Sequence, residues 1–237
     1  MLHPTDAFTG YTLDKGDWII NLPIALSPGW MWWGVTDWLT TELDWEAWLG
    51  GVPSFNFRFK LADQKGFRPV LAYETMFQYI LLDTINLLDG YPQLDVLRFG
   101  PSWYNHLNAS WQLSERFHLH LSAGVTYSGY LSIEDSSTGN SGIYENKLTP
   151  DLSLGLDWRT APWVSLHSTG SYGSTFTYLD NVPRKIQWTA GTRFAPFYWC
   201  KWGFFRTFRI EVISLYMDFT EVSKPIWGPI GYVFWQF

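Results

Sequence analysis

The chain has one cysteine, Cys200, which excludes an internal disulfide framework. Set among tryptophans, that thiol is expected to be packed rather than reactive. No apolar run reaches the about 20 residues that a membrane helix needs. The tail from Ile226 comes nearest, and Gly228, Pro229 and Gly231 break it. No apolar stripe of helical period recurs either, so a helical bundle is not expected. Charge is scarce, at 16% Asp, Glu, Lys and Arg against the roughly 25% of ordinary soluble domains. The net charge of -6 leaves no basic face for nucleic acid, and none is expected as a partner. The opening Met1-Leu2-His3-Pro4 lacks the basic start and apolar core of a signal peptide, so the 237 residues are expected to be a mature form.

Aromatic residues are abundant instead: 16 Trp, 13 Tyr and 17 Phe, 19% of the chain. Mean hydropathy is nonetheless only -0.10. The apolar residues must therefore be spread out, and they are spread with a period of two. Phe117, Leu119, Leu121, Ala123, Val125 and Tyr127 alternate with His118, His120, Ser122, Gly124 and Thr126. Phe55, Phe57, Phe59 and Leu61 alternate with Asn56, Arg58 and Lys60, and Leu152, Leu154, Leu156 and Trp158 with Asp151, Ser153, Gly155 and Asp157. This is the pattern of strands with one apolar face.

Turn signals divide the chain into about twelve strands, with ten or fourteen as alternatives. The spacing predicts them near 16–26, 29–36, 38–48, 53–62, 66–80, 94–113, 116–134, 145–158, 162–179, 184–196, 203–219 and 225–237. Their connections alternate between short turns and long segments, the latter including "SSTGNSG". Long strands, alternating loop lengths, and Trp or Tyr near strand ends together predict an all-β fold. It is a single-domain (1–237) antiparallel up-and-down transmembrane β-barrel of the outer membrane, with both termini at the periplasmic, short-turn end. The expected short-turn girdle is Trp38, Trp111, Trp158, Trp163 and Trp199; Tyr127, Tyr178, Trp188 and Trp227 are expected nearer the other end.

The final residues, Gly231-Tyr232-Val233-Phe234-Trp235-Gln236-Phe237, resemble the C-terminal assembly signal of bacterial outer-membrane proteins. The start "YTLDKGDWIINLP" is similar to first strands in the same class. The resemblance implies that Val233, Trp235 and Phe237 face lipid and that barrel-assembly machinery reads them. Ile230, Tyr232 and Phe234 then point inward, which predicts a partly filled lumen.

The alternation assigns an inward face rich in ionisable residues. Strand three offers Glu42, Asp44 and Glu46; strand four Arg58 and Lys60; strand five Arg68 and Glu74; strand six Arg98 and His106. Asp151, Asp157, Lys185, Arg193, Arg209 and Glu211 follow on later strands. Two readings stand. Either these charges pair into a structural filling, as buried charges must, or they form a constriction that selects solutes. Twelve strands leave a bore of about 10 Å at best, enough for a small hydrophilic solute. A narrow pore is therefore the first expectation. A closed barrel that anchors an envelope assembly, docking partners through Trp32, Trp33, Trp45 and Trp48, is the second.

No cofactor or metal is expected. His118 and His120 share a strand face and could meet Asp157, but no compact ligand motif accompanies them. Catalysis is not expected either. A lipid hydrolase would need His167 with Ser165 or Ser153 near lipid, and "GSYGS" at 170–174 lacks the G-x-S-x-G spacing. The sequon Asn108-Ala109-Ser110 is incidental. A slip of the inward alternation at Val212-Ile213 predicts a bulge.

Overall fold

The computed structural model describes residues 9–24, 30–44, 48, 52–80, 97–133, 143–173, 184–219 and 225–237. It contains twelve strands: β1 Trp18–Ile24, β2 Trp30–Thr36, β3 Leu39–Asp44, β4 Ser54–Ala62, β5 Val70–Ile80, β6 Leu97–Ser114, β7 Phe117–Ile133, β8 Ile143–Ala161, β9 Val164–Tyr172, β10 Arg184–Phe194, β11 Phe208–Phe219 and β12 Ile226–Gln236. One short helix, α1 Gly203–Arg206, interrupts the connection from β10 to β11. Each strand pairs antiparallel with its chain neighbours, and β1 pairs with both β2 and β12. The sheet is therefore a closed barrel, with no edge left to satisfy. Closure is completed beyond the ladder, where Trp18 and Phe237 exchange backbone hydrogen bonds of 3.0 and 2.8 Å.

Sequence alternation alone cannot say which face of a strand points inward, and burial answers that. On β8 Leu152 is 53% exposed and Asp151 only 6%. Leu154, Leu156 and Trp158 are likewise exposed, while Ser153 and Asp157 are buried. A water-soluble barrel would show the reverse. Here the leucines face outward and the serines and aspartates fill the middle, as a lipid-surrounded barrel requires.

Exposed rings collect toward both ends of this apolar wall. Trp38, Trp158, Trp163 and Trp199 lie at the short-turn end, and Tyr127, Trp188 and Trp227 toward the other. Trp111 is half-buried and donates its indole N–H to the Phe67 carbonyl at 3.0 Å. Tyr178 lies outside the described residues.

Two expectations are corrected. The fifth strand begins at Val70 rather than at 66, because Gly66 takes φ +60° in a turn whose Lys65 and Arg68 exchange backbone bonds. Only glycine adopts that conformation without steric cost. Arg68 therefore sits exposed in the turn and does not line the interior.

The expected bulge at Val212-Ile213 is absent. Pairing runs unbroken from Ile186↔Asp218 to Phe194↔Ile210. What resembled a slip is a genuine change of surface: Ile213 and Leu215 face inward because that wall of the lumen is apolar. Ile213 packs with Trp30 and Tyr232, and Leu13 and Ile19 pack with Phe234.

Candidate functional site: a filled polar lumen

The polar wall of the lumen starts from one carboxylate. Pairing places Arg58 of β4 opposite Glu74 of β5, and Glu74 opposite His106 of β6. Arg58 donates to both Glu74 oxygens, through Nε at 3.1 Å and Nη2 at 3.0 Å. Asn56 donates to Glu74 at 2.7 Å and to Glu42 at 2.8 Å; Asn108 donates to Glu74 at 2.5 Å. Glu74 thus accepts from a guanidinium fork and two amides, which is how a carboxylate tolerates burial. Glu42 is tied into the same group through Asn56.

Next to this group, a histidine reaches over a whole strand. His106 on β6 hydrogen-bonds with Asp151 on β8 at 3.1 Å. The strand between them, β7, presents Gly124 at that level. Strands lie about 4.8 Å apart, so any intervening side chain would block the reach. A Cβ on Gly124 would run into the His106 ring and the Asn105 carbonyl. Thr126 donates to the same Asp151 oxygen.

The arrangement recurs on the next three strands around the barrel. His167 on β9 lies 3.3 Å from Glu211 on β11, passing Gly191 on β10, where a Cβ would come within 2.8 Å of His167 Nε2. Arg193 completes this second group with its Nε 2.5 Å from Glu211; both side chains are 0% exposed. The guanidinium also lies 5.5 Å from the Phe234 ring centroid, within cation–π range.

Residues 9–13 lie inside the barrel at the short-turn end, and Asp14 is exposed at its mouth. Gly10 donates its N–H to Ser110 Oγ at 2.7 Å, and Ser110 in turn bonds His120 Nδ1 at 2.7 Å. The Tyr11 hydroxyl bonds His118 Nδ1 at 3.2 Å, and the Tyr11 carbonyl accepts from Arg58. Leu13 N–H donates to Thr40 Oγ1 at 2.8 Å. Gly34 offers a bare backbone to Asp14, which a Cβ there would strike. Burial holds the Tyr11 phenol above its ordinary pKa, so it stays a neutral hydroxyl. Five strands, β2, β3, β4, β6 and β7, thus hold this segment across the lumen.

The residues expected to line a pore separate accordingly. Glu42, Arg58, Glu74, His106, Arg193 and Glu211 come together on the inner face, already paired. Asp44 is half-buried and accepts from the Trp30 indole at 3.1 Å. Lys60 sits at the rim in an ion pair with Asp63 at 3.1 Å. Arg209 is half-buried at the short-turn mouth. Glu46 and the side chains of Arg98 and Lys185 lie outside what is described.

Trp32, expected on the outside, faces inward and packs against the cluster of Leu13, Ile19 and Phe234. Trp33 is outward and stacks on Trp18 with ring centroids 5.1 Å apart, and Trp48 is exposed as well; Trp45 is outside the described residues. His118 and His120 are occupied by Tyr11 and Ser110. Ser153, Ser165 and His167 are buried in the lumen, away from the outer surface. Along β12, Val233 and Trp235 are outward of the buried Tyr232 and Phe234, with Phe237 exposed. Trp235 lies 5.0 Å from the Phe208 ring and 5.7 Å from that of Phe204.

Three features escaped sequence reasoning. Asn108 and Ser110 belong to the incidental sequon, yet each bonds a buried partner, and nothing in the period marks residues 9–13 as lumen filling. The inward glycines were visible in the alternation at Gly124 and Gly191 and would have flagged the strand-crossing histidines.

No family model matches the chain, and no curated protein matches it. Among solved structures, the Pseudomonas putida toluene transporter TodX is similar at 10% identity and a TM-score of 0.42, over 93% of this chain and 69% of that one. The outer-membrane channel DcaP of Acinetobacter baumannii is similar at 10% identity and 0.39, over 92% of this chain and 61% of that one. A deltaS2S3 mutant of TodX, a monoaromatic hydrocarbon channel, follows at 11% and 0.36, over 92% and 70%. Superpositions this loose carry no function across. The closed twelve-stranded barrel stands on its own hydrogen bonds.

Proposed function

We propose that this chain is an integral outer-membrane barrel serving as a narrow conduit for small hydrophilic solutes, held shut in the state described by residues 9–14. The observation that carries the proposal is a polar, ionisable lumen inside an apolar wall with aromatic ends. Lipid explains the outside, and a barrel filled only for stability would not need so many charges within. The interior groups most concerned are Glu42, Arg58, Glu74, Arg193, Arg209 and Glu211. The closing strand, with Val233, Trp235 and Phe237 on its outer face, is the segment for assembly machinery to engage.

Membrane placement is tested on Leu152, near the middle of β8. Leu152→Arg is expected to cost about 2–4 kcal/mol of folding free energy in phosphatidylcholine vesicles, the midplane penalty for arginine on a barrel's lipid face. A neutral result would place that face in water and sink the membrane reading.

The conduit is tested in planar bilayers. Gly10 packs so closely on the Val70 carbonyl and the Ser110 amide that a side chain there cannot be seated. Gly10→Val should therefore loosen residues 9–14 and raise the open probability severalfold over the native protein. If neither protein gives conductance steps, the second reading takes over: a closed barrel that anchors or scaffolds an envelope complex. The burial and pairing of Glu74 with Arg58 and of Glu211 with Arg193 favour that reading, and co-purification of an envelope protein from native membranes would support it.

A further inference from the structure

The inward charges at the short-turn end are unevenly distributed around the barrel. On the β8–β11 wall, pairing sets Arg159 opposite Ser165, Ser165 opposite Arg193, and Arg193 opposite Glu211. Arg209 precedes Glu211 by two residues on β11, so it shares the inner face. Arg159, Arg193 and Arg206 of α1 all lie close enough to act on the Arg209 charge. Two described carboxylates oppose these four cations on that wall, Asp157 and Glu211, and Glu211 is engaged by Arg193 and His167. Across the lumen the balance reverses, with Glu42 and Glu74 against Arg58.

The surplus is also unsatisfied. Among the described residues, Arg159, Arg206 and Arg209 form no ion pair. Arg209 Nη1 donates to the carbonyls of Arg206 at 2.6 Å and Phe208 at 2.8 Å. Its Nε is buried with no hydrogen-bond partner among the described atoms, and a buried donor without an acceptor is destabilising. Arg159 also lies near His118, the residue that Tyr11 bonds. The cluster therefore borders residues 9–14, where the half-buried Arg159 and Arg209 remain within reach of the short-turn side.

We propose that Arg159, Arg193 and Arg209 form an anion site at the short-turn mouth of the lumen, which takes a small oxyanion, a phosphate or carboxylate, from solution. Guanidinium groups present flat pairs of N–H donors that match the oxygen spacing of such anions. Arg193, held by Glu211, gives the site a fixed wall, and the partnerless Arg209 Nε supplies a donor. The inference rests on the barrel reading and assigns the conduit its class of solute. The same chemistry exists in phospholipid headgroups, but Arg159 and Arg209 alternate with the outward Trp158 and Phe208 and belong to the lumen side.

Calorimetric titration of the protein in dodecyl maltoside with inorganic phosphate tests this without requiring conductance. The native protein should bind, and Arg159→Gln with Arg209→Gln should weaken binding at least about tenfold, the scale of lost charge-assisted hydrogen bonds. Lys65→Gln with Arg68→Gln removes the same charge from the exposed β4–β5 turn and should leave binding unchanged. Heat-modifiable gel mobility confirms that each variant is folded. No binding by the native protein, equal binding by the lumen variant, or equal loss in the turn variant would overturn the site. So would phosphate binding that persists in phosphatidylcholine nanodiscs and vanishes in phosphatidylglycerol ones, which would assign the arginines to lipid. Phosphate binding in a protein without conductance steps would sink the conduit alone.

Discussion

Glutamine in place of Glu211 is expected to lower the folding free energy of the barrel by about 3–5 kcal/mol, the usual cost of breaking a buried ion pair from one side. The Arg193 and Glu211 side chains are both fully buried, and Glu211 also meets His167. Removing the negative charge leaves the buried Arg193 guanidinium without its counter-charge. Removing both charges should cost far less: Arg193→Met with Glu211→Leu fills the same volume with apolar atoms beside Phe234 and Ile213, and such swaps are often near neutral. Urea unfolding in phosphatidylcholine vesicles, followed by tryptophan fluorescence, measures both. A single variant within about 0.5 kcal/mol of the native protein, the range of an inconsequential substitution, would mean that water reaches the pair and the lumen is open there.

The second large effect is expected at Gly124. Valine there must displace the His106 ring and the Asn105 carbonyl, and it occupies the gap through which His106 reaches Asp151. Overpacking of this kind costs about 1–3 kcal/mol and sometimes more; the lost bond to a buried carboxylate should put Gly124→Val at or above the top of that range. Gly124→Ala should fall between valine and the native residue. Ala123→Val, one position along and facing outward, should stay within about 0.5 kcal/mol. Equal effects at 123 and 124 would show that the strand-crossing contact contributes nothing.

Much of the architecture could be read from the chain because a strand's period survives without tertiary context. Phe117 to Tyr127 alternate whatever they pack against, and turn residues mark where each run stops. All twelve strands lie near where spacing predicts them, and their ends differ where a local conformation intervenes: Gly66 delays the start of β5, and α1 makes β11 begin at Phe208 rather than at 203. The site was less legible. Glu42, Arg58, Glu74, Arg193 and Glu211 could be nominated as inward, yet their pairing depends on register between strands. Register is a property of two strands and their turn, not of one segment. Trp32 faces inward against expectation because β2 carries three tryptophans with only Met31 interposed, so composition gives no clue to which face is which.

By itself, then, the sequence determined the all-β class, a strand count near twelve in antiparallel order, and the aromatic, charge-poor composition, since each follows from local period and composition. Strand length and aromatic ends argue from sequence for leucines facing out and aspartates in, but the alternation is common to both arrangements, and burial in the tertiary structure decided it. The tertiary structure alone seated residues 9–13 in the lumen, let His106 and His167 reach across Gly124 and Gly191, and left Arg209 short of an acceptor. Those outcomes depend on barrel closure, which brings together groups about a hundred residues apart, such as Gly10 and Ser110.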